Sequence, residues 1–223
     1  MRPLGVVVLD TRFPRLPGDI GCATTFAFPV HYRVVQGAVP RRVVVDADRS
    51  LLAPFIAAAR ALEREGCSAI STSCGFLALF QYEMQAAVGV PLWTSSLLLV
   101  AEVEATLPRG RRVGIVTADA ASLTAAHLEA AGAPADAPIE GLSPASAFYR
   151  TLLDNRPELD PAEAEAATVA AATRLVERHP HVDAIVLECT NMPPYADAVR
   201  TATRLPVHDI TTLIAARFAT PAS

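Results

Sequence analysis

The stretch that decides the fold is AISTSC at residues 69–74, a short apolar run that ends in Cys74 and is followed at once by Gly75. The stretch AIVLEC at residues 184–189 repeats it 115 positions later and ends in Cys189. This repeat predicts a duplicated α/β unit in which two equivalent strands each end in a cysteine. Ligands of such sheets bind just beyond the carboxyl ends of the strands. We therefore expect Cys74 and Cys189 to face each other across one cleft.

Two other apolar runs open the two copies of the unit, at residues 4–9 and at residues 112–117. Strand and helix patterns alternate along the rest of the chain, which predicts parallel sheets in two small α/β lobes. The valine-rich residues 42–46 are expected to form the second strand. The first lobe is predicted to comprise residues 1–96 and 209–223, and the second lobe residues 97–208.

Composition narrows the range of partners and compartments. The formal net charge is -4 without a run of basic residues, which argues against nucleic acid or an anionic membrane and favours a small-molecule partner. The longest apolar runs are too short to span a bilayer. The N-terminal run resembles a first strand more than a signal peptide, so a cytoplasmic location is expected. The four cysteines would then stay reduced, and their spacing predicts neither disulfides nor a zinc site.

The chain contains no lysine, so all 19 of its Lys and Arg residues are arginine. This excludes a Schiff-base lysine, as in pyridoxal-phosphate racemases and lysine-dependent aldolases, and also the lysine of a P-loop. No GxGxxG motif follows a predicted strand, so nothing indicates a dinucleotide. We expect chemistry that needs no cofactor and no metal.

Cys74 and Cys189 are the strongest candidates for chemistry, because both cysteines persist while the strands that precede them have diverged. A nearby helix N-terminus favours the thiolate, so we expect each thiol to have a lowered pKa and to serve as a base or nucleophile. Glu188 is expected to point away from Cys189, as a group at the lobe interface. Cys22 and Cys67 are expected to be structural or indifferent.

The proline- and glycine-rich residues 11–29 predict a long loop at the end of the first strand. Asp10 at its start is expected to border the cleft. Arg12, Arg15 and Asp19 could border it as well, and the alternative for Arg15 and Asp19 is that they are solvated loop charges. Thr190 and Asn191 are expected to cap the following helix or to bind a carboxylate with its exposed N–H groups.

The paired half-repeats, the dipeptide Cys189-Thr190 and the strand that ends in Asp10 resemble the aspartate/glutamate racemase superfamily, which includes hydantoin racemases, maleate isomerases and arylmalonate decarboxylases. The resemblance implies two Rossmann-like lobes in pseudo-twofold relation, an active site between them, no cofactor and, by analogy, a homodimer. It also implies that one cysteine removes an α-proton and the other returns a proton on the opposite face. Carried over to this chain, the catalytic residues are Cys74 and Cys189, and the substrate-binding residues are Asp10, Ser73, Gly75, Phe76, Thr117, Thr190 and Asn191.

Two departures from the family motifs bear on the substrate. Residues 74–76 are Cys-Gly-Phe where amino-acid racemases have Cys-Asn-Thr, and residues 189–191 are Cys-Thr-Asn where glutamate racemases have Cys-Thr-His. Two polar contacts are thereby lost, and Phe76 favours a less polar substrate whose carboxylate could be bound by arginines of the first loop.

Three functions stay open at this point. The first is a racemase or epimerase, an isomerase of amino-acid metabolism that acts on an amino acid or related carboxylate through two thiol bases. The second is an enzyme that isomerises or decarboxylates a small dicarboxylate, like a maleate isomerase or an arylmalonate decarboxylase. The third is a non-catalytic protein that binds a small ligand.

Overall fold

The computed structural model describes residues 2–218, which contain two sheets of four strands each. The strands are β1 (Leu4–Leu9), β2 (Val30–Val35), β3 (Ala69–Thr72), β4 (Leu92–Trp93), β5 (Arg112–Thr117), β6 (Ile139–Gly141), β7 (Val182–Leu187) and β8 (Val207–His208). The first sheet has the order β2-β1-β3-β4 and the second the order β6-β5-β7-β8, so the two topologies are identical. Every strand pairing in both sheets is parallel.

Helices connect the strands in both lobes. They are α1 (Pro40–Val44), α2 (Leu52–Arg64), α3 (Gln81–Ala86), α4 (Val100–Glu104), α5 (Ala125–Ala130), α6 (Ala147–Leu153), α7 (Pro161–Arg178), α8 (Ala196–Thr203) and α9 (Ile210–Phe218). Short 3-10 helices lie at Arg49–Leu51, Gly75–Phe80, Ser96–Leu99 and Pro193–Tyr195. The longest helix, α7, starts as its sequence predicts, because the Asp160 carboxylate accepts hydrogen bonds from the N–H groups of Ala162 and Glu163.

The duplication places β3 and β7 in equivalent central positions. Ser71 of β3 pairs with Trp93, and Val186 of β7 pairs with His208, which lies 115 positions after Trp93. Cys74 and Cys189 follow these two central strands. The predicted two-lobe α/β fold with parallel sheets is therefore confirmed.

The second strand is not where the valine pattern predicted it. Residues 42–46 do not form a strand, because Pro40 stands in the first turn of α1 and this short helix includes Val43 and Val44. The strand beside β1 is instead β2, which lies at the edge of the sheet. Its exposed side chains gave no clear apolar pattern. The sequence predicts a last helix over residues 209–219, and its end at Ala219, like the outermost residues of the expected first lobe, lies outside the described residues.

One large apolar core runs through both lobes and includes α2, α7 and the central strands. A second, smaller core lies where Leu4 and Val6 of β1 and Trp93 of β4 pack against Leu213 and Ile214 of α9. The last helix thus packs against the first sheet. No helix within residues 2–218 is long and apolar enough to cross a membrane.

Candidate functional site

A cavity lies where the carboxyl ends of β1 and β3 meet the end of β7. Its walls are mostly apolar. The polar and thiol groups that line it are Thr11, Arg15, Ser73, Cys74, Glu188, Cys189, Thr190 and Asn191, and the remaining walls are Leu9, Phe13, Pro40, Val44, Gly75, Phe76, Ala118, Leu152 and Leu153. Of the predicted site residues, all except Asp10 and Thr117 line this cavity.

Cys74 lies between the end of β3 and the 3-10 helix that begins at Gly75. Its thiol is buried, and burial followed by the charge of Glu188 raises its pKa to about 12. The N–H groups of Phe76 and Leu77 and the charge of Arg15 act in the opposite direction, because each favours the thiolate.

Cys189 occupies the equivalent position after β7, and burial raises its pKa well above the usual value. The charges of Glu188, Cys74 and Asp19 raise it further. The thiol donates a hydrogen bond of 3.7 Å to Oδ1 of Asn191, an acceptor that favours the neutral form. The expectation of lowered thiol pKa values is thus wrong for both cysteines, because desolvation outweighs the helix N-terminal N–H groups.

Glu188 is a member of the site that the strand alternation did not reveal. It is fully buried, and its Oε2 accepts a hydrogen bond of 2.7 Å from the Thr117 hydroxyl. The carboxyl lies against Gly75, where a Cβ atom would be 2.8 Å from Cδ of Glu188 and closer still to its Oε1 and main-chain oxygen. Glycine at position 75 is therefore required by the close approach of the two strand ends. Burial raises the pKa of Glu188 to about 7.

Arg15 lines the cavity and Asp19 is buried, so their interpretation as solvated loop charges is wrong. The Arg15 side chain is 12% exposed, and its Nη1 lies 3.2 Å from Oδ1 of Asp19. Nη2 donates to the Thr11 hydroxyl, and the guanidinium lies 5.0 Å from the centre of the Phe13 ring. Its Nε–H is buried and has no hydrogen-bond partner within residues 2–218.

Asp10 and Thr117 were predicted to bind substrate, but neither lines the cavity. The Asp10 carboxylate accepts a hydrogen bond from the N–H of Gly37, because the chain turns back there to enter α1. Thr117 is fully buried and holds Glu188 in place.

Ser73 and Thr190 line the cavity and also join its two halves. The Leu9 N–H donates to the Ser73 hydroxyl at 3.0 Å, which ties β1 to the end of β3. The Thr190 hydroxyl donates to the main-chain oxygen of Ser73 at 2.6 Å, which ties the second lobe to the first. The Ser73 bond therefore fixes the strand end before Cys74, and the Thr190 bond crosses the cleft and fixes the strand end at Cys189 against it.

The long loop after β1 crosses to the second lobe and returns to β2. The Asn155 side chain accepts from the Arg12 N–H at 2.7 Å and donates to the Asp10 carbonyl at 3.0 Å. Further along, the Asn191 amide donates to the Asp19 carboxylate at 2.5 Å. The loop is thus fastened to the second lobe at two points. Within the part of the chain that the structure describes, no group of three or more His, Cys, Asp or Glu residues could hold a metal ion.

Two equivalent α/β lobes that enclose one cavity between their strand ends define the class of two-lobed racemase-like proteins. The sequence profile of the Asp/Glu/Hydantoin racemase family matches residues 42–218. The chain belongs to this family, and the resemblance seen in the sequence is confirmed. Unliganded arylmalonate decarboxylase superposes with a TM-score of 0.62 at 19% identity and covers 99% of this chain and 94% of its own. Glutamate racemase from Francisella tularensis subsp. tularensis SCHU S4 gives a TM-score of 0.56 at 13% identity, with 100% of this chain and 84% of that chain covered.

Curated relatives with higher identity have another activity in their names. The dimethylsulfoniopropionate lyase of Durusdinium sp. clade D is 33% identical over 218 residues, which cover 92% of this chain and 70% of the relative. Dimethylsulfoniopropionate lyase 7 of Emiliania huxleyi (strain CCMP1516) is 30% identical over 221 residues, which cover 94% of this chain and 64% of that protein. The chain thus spans less than two thirds of the Emiliania relative. Together, the family and these relatives support an enzyme.

Proposed function

We propose that the protein is a lyase in which a cysteine thiolate removes a proton next to a carboxylate and a group leaves from the neighbouring carbon. Dimethylsulfoniopropionate is the substrate we propose first, because it is named in both relatives and its chemistry suits the cavity. The observation that carries the proposal is that one apolar cavity is lined by a thiol from each lobe and by Arg15, whose buried Nε–H has no hydrogen-bond partner within residues 2–218.

Arg15 is the proposed anchor for the carboxylate. Its Nη1 donates to Asp19 and its Nη2 donates to Thr11, so the guanidinium is already oriented before a substrate enters. A carboxylate that accepts from Nε satisfies a buried donor that otherwise has no partner, and charge-assisted hydrogen bonds of this kind are among the stronger ones. This assigns to the first loop the carboxylate contact that the family motif lacks here.

The opposite end of the proposed substrate is a sulfonium, which carries a positive charge and no N–H donors. It needs no hydrogen-bond acceptors, so the apolar walls of the cavity suit it better than they suit an ammonium group. Aromatic rings attract such cations, and Phe13 and Phe76 both line the cavity. A positive charge beside a buried thiol also favours its thiolate, which offsets the desolvation that raises the thiol pKa.

The proposed reaction is a β-elimination. A thiolate takes a proton from the carbon next to the carboxylate, and the electrons of that C–H bond form the double bond of acrylate. The bond between the neighbouring carbon and sulfur breaks, and dimethyl sulfide leaves with the bonding pair. The thiol then returns its proton to solvent. The N–H groups of Phe76 and Leu77 and the charge of Arg15 favour Cys74 as the thiolate that takes the proton.

Proton NMR with dimethylsulfoniopropionate tests this proposal, because acrylate gives vinyl signals as the substrate disappears. We expect the reduced wild-type protein to form acrylate and dimethyl sulfide in equal amounts. Cys74→Ser should lose at least about a thousandfold in rate, since hydroxyls are far weaker acids than thiols. Cys22→Ser is the matched control, because Cys22 does not line the cavity and its thiol is hydrogen-bonded to the nearby Thr24 hydroxyl. No acrylate from the wild type, or full activity without both cavity thiols, would contradict the proposal.

A second candidate, racemisation or epimerisation of an amino acid or related carboxylate, is favoured by the equivalence of Cys74 and Cys189 in the two repeats. Racemisation needs a base on each face of the substrate, whereas elimination needs only one. The same samples in D2O with aspartate, glutamate and hydantoins separate the two. If exchange of the α-proton is lost when either Cys74 or Cys189 is replaced, the result supports racemisation. If acrylate still forms when one of the two thiols is replaced, the result supports elimination.

A further inference from the structure

Glu188 is a buried acid that the proposed elimination does not use. It has no solvent exposure, and Thr117 is the donor that holds its Oε2. Its Oε1 has no hydrogen-bond partner within residues 2–218. Buried carboxyl oxygens are rarely left without a partner, so an unpaired one in a cavity wall calls for an explanation.

The carboxyl lies close to both cysteine residues. It fills the space against Gly75, whose main chain is joined directly to Cys74, and it directly precedes Cys189 in the chain. The residue lines the same cavity as both cysteines. No sulfur of either cysteine is hydrogen-bonded to Glu188 in the described residues, so any influence acts through charge and not through a shared proton.

We propose that Glu188 is a positioning residue that controls the ionisation of both cavity thiols through its own charge. When it is ionised, a second negative charge in this buried space is disfavoured, and both thiols are held in the neutral form. When it is protonated, one thiolate can form. The inference rests on the proposed function in that it takes the two thiols as the reactive groups.

The electrostatics of the site agree with this arrangement. Ionised Glu188 raises the pKa of Cys74 and the pKa of Cys189, and in each case it follows desolvation as the largest cause. The other charged groups that face the thiols are Arg15, which favours the thiolate of Cys74, and Asp19, which opposes that of Cys189.

From the second lobe, the ring of His127 packs edge-on at 5.4 Å against Phe76, the second residue after Cys74. Burial lowers the pKa of His127, which keeps this ring neutral near pH 7. The charges that face the thiols are therefore those of Glu188, Arg15 and Asp19.

The test is the rate at which iodoacetamide alkylates each cysteine between about pH 5 and about pH 9, because only the thiolate reacts. Peptide mass spectrometry of the full chain separates Cys74 and Cys189 from Cys22, which serves as an internal reference in every digest. In the wild type, the logarithm of the alkylation rate at the cavity thiols should rise with pH, flatten where Glu188 ionises, and rise again. This curve needs no variant, so a wild-type profile without flattening overturns the proposal.

Glu188→Gln keeps the shape of the side chain and removes the charge. Its profile should be a single line of constant slope, and at pH 8 its alkylation should be up to about tenfold faster than that of the wild type, because pH 8 lies about one unit above the pKa of Glu188. Thr117→Val is the control for loosened packing, because it removes the hydrogen bond and keeps the carboxyl. It should retain the flattening and move it to higher pH. A Glu188→Gln rate within threefold of the wild type, or a Thr117→Val profile identical to that of Glu188→Gln, overturns the proposal.

Alkylation reports on the ionisation of the thiols whether or not the protein turns over any substrate. Failure of the lyase proposal with a flattened wild-type profile leaves the control by Glu188 intact. Acrylate formation with an unflattened profile supports the lyase proposal and overturns the control of the thiols by Glu188.

Discussion

Replacement of Gly75 by alanine should separate the two halves of the site. A Cβ at this position would lie 2.8 Å from Cδ of Glu188, whereas real Cβ atoms essentially never approach other atoms within 3.0 Å. The side chain of Glu188 could rotate away, but its main-chain oxygen is also too close and cannot. The end of β3 must therefore move away from the end of β7.

The magnitude follows from what that movement disturbs. Overpacking in a rigid core costs about 1–3 kcal/mol. The upper part of this range applies here, because the new methyl group meets main chain and because the Thr190 to Ser73 and Ser96 to Leu187 hydrogen bonds cross the same junction. We expect Gly75→Ala to lower the free energy of unfolding by about 3 kcal/mol, which lowers Tm by about 10 °C in a chain of this length.

Thermal unfolding followed by circular dichroism measures this effect. Gly89→Ala is the matched control, since Gly89 is exposed and a Cβ there would meet only the flexible Glu63 carboxylate at 3.3 Å. Adding Glu188→Ala to Gly75→Ala should restore only part of the lost stability, because the main-chain oxygen remains. If Gly75→Ala unfolds within about 2 °C of Gly89→Ala, the two strand ends are not packed as described.

Three other changes test separate contacts. Ser73→Ala removes the acceptor of the buried Leu9 N–H and should cost about 2 kcal/mol in urea unfolding. An unchanged urea midpoint would mean that the N–H finds another partner. Arg15→Lys keeps the charge but loses the oriented Nε–H, so KM for a carboxylate substrate should rise about tenfold or more with a smaller change in kcat. Equal KM values would remove Arg15 from the carboxylate site. The Glu188 carboxyl, whose pKa burial raises to about 7, keeps its proton in the folded state at pH values where the unfolded chain has lost it, so wild-type stability should fall as pH rises from about 4.5 to about 7. In Glu188→Gln, the difference in unfolding free energy between pH 5 and pH 8 should shift by about 2.5 kcal/mol in favour of pH 8, and identical pH dependence of the two proteins would contradict the burial of this charge.

The architecture was predictable because it is set by local patterns. Continuous apolar runs such as β1 and β5 are typical of parallel strands covered on both faces, and the repeated cysteines marked equivalent strand ends. The edge strand β2 was missed because its half-exposed positions carry polar residues. The valine run after Pro40 predicts a strand by its apolar pattern. A proline in the first turn and packing on the core favour a short helix there instead.

The site was predictable only in the part that the repeat marks. The two thiols and their immediate neighbours follow from strand-end positions. The burial of Arg15 and Asp19 depends on a loop that folds over the second lobe, and no local pattern encodes such a contact. Glu188 was rightly expected at the lobe interface. Its place in the cavity wall depends on Gly75, which leaves room for the Glu188 carboxyl. The glycine in the Cys-Gly-Phe motif was the sequence signal for this close approach.

The fastening of the first loop to the second lobe has a consequence for how the chain unfolds. Two sheets with their own helices could melt one after the other, as separate cooperative units. Here the loop leaves β1, is held by Asn155 and Asn191 of the second lobe, and returns to β2. If either sheet unfolds, the loop that joins β1 to β2 of the first sheet loses its contacts with the second lobe. The two repeats are therefore expected to behave as one cooperative unit, and the single tryptophan, Trp93 in the first sheet, to report the melting of both.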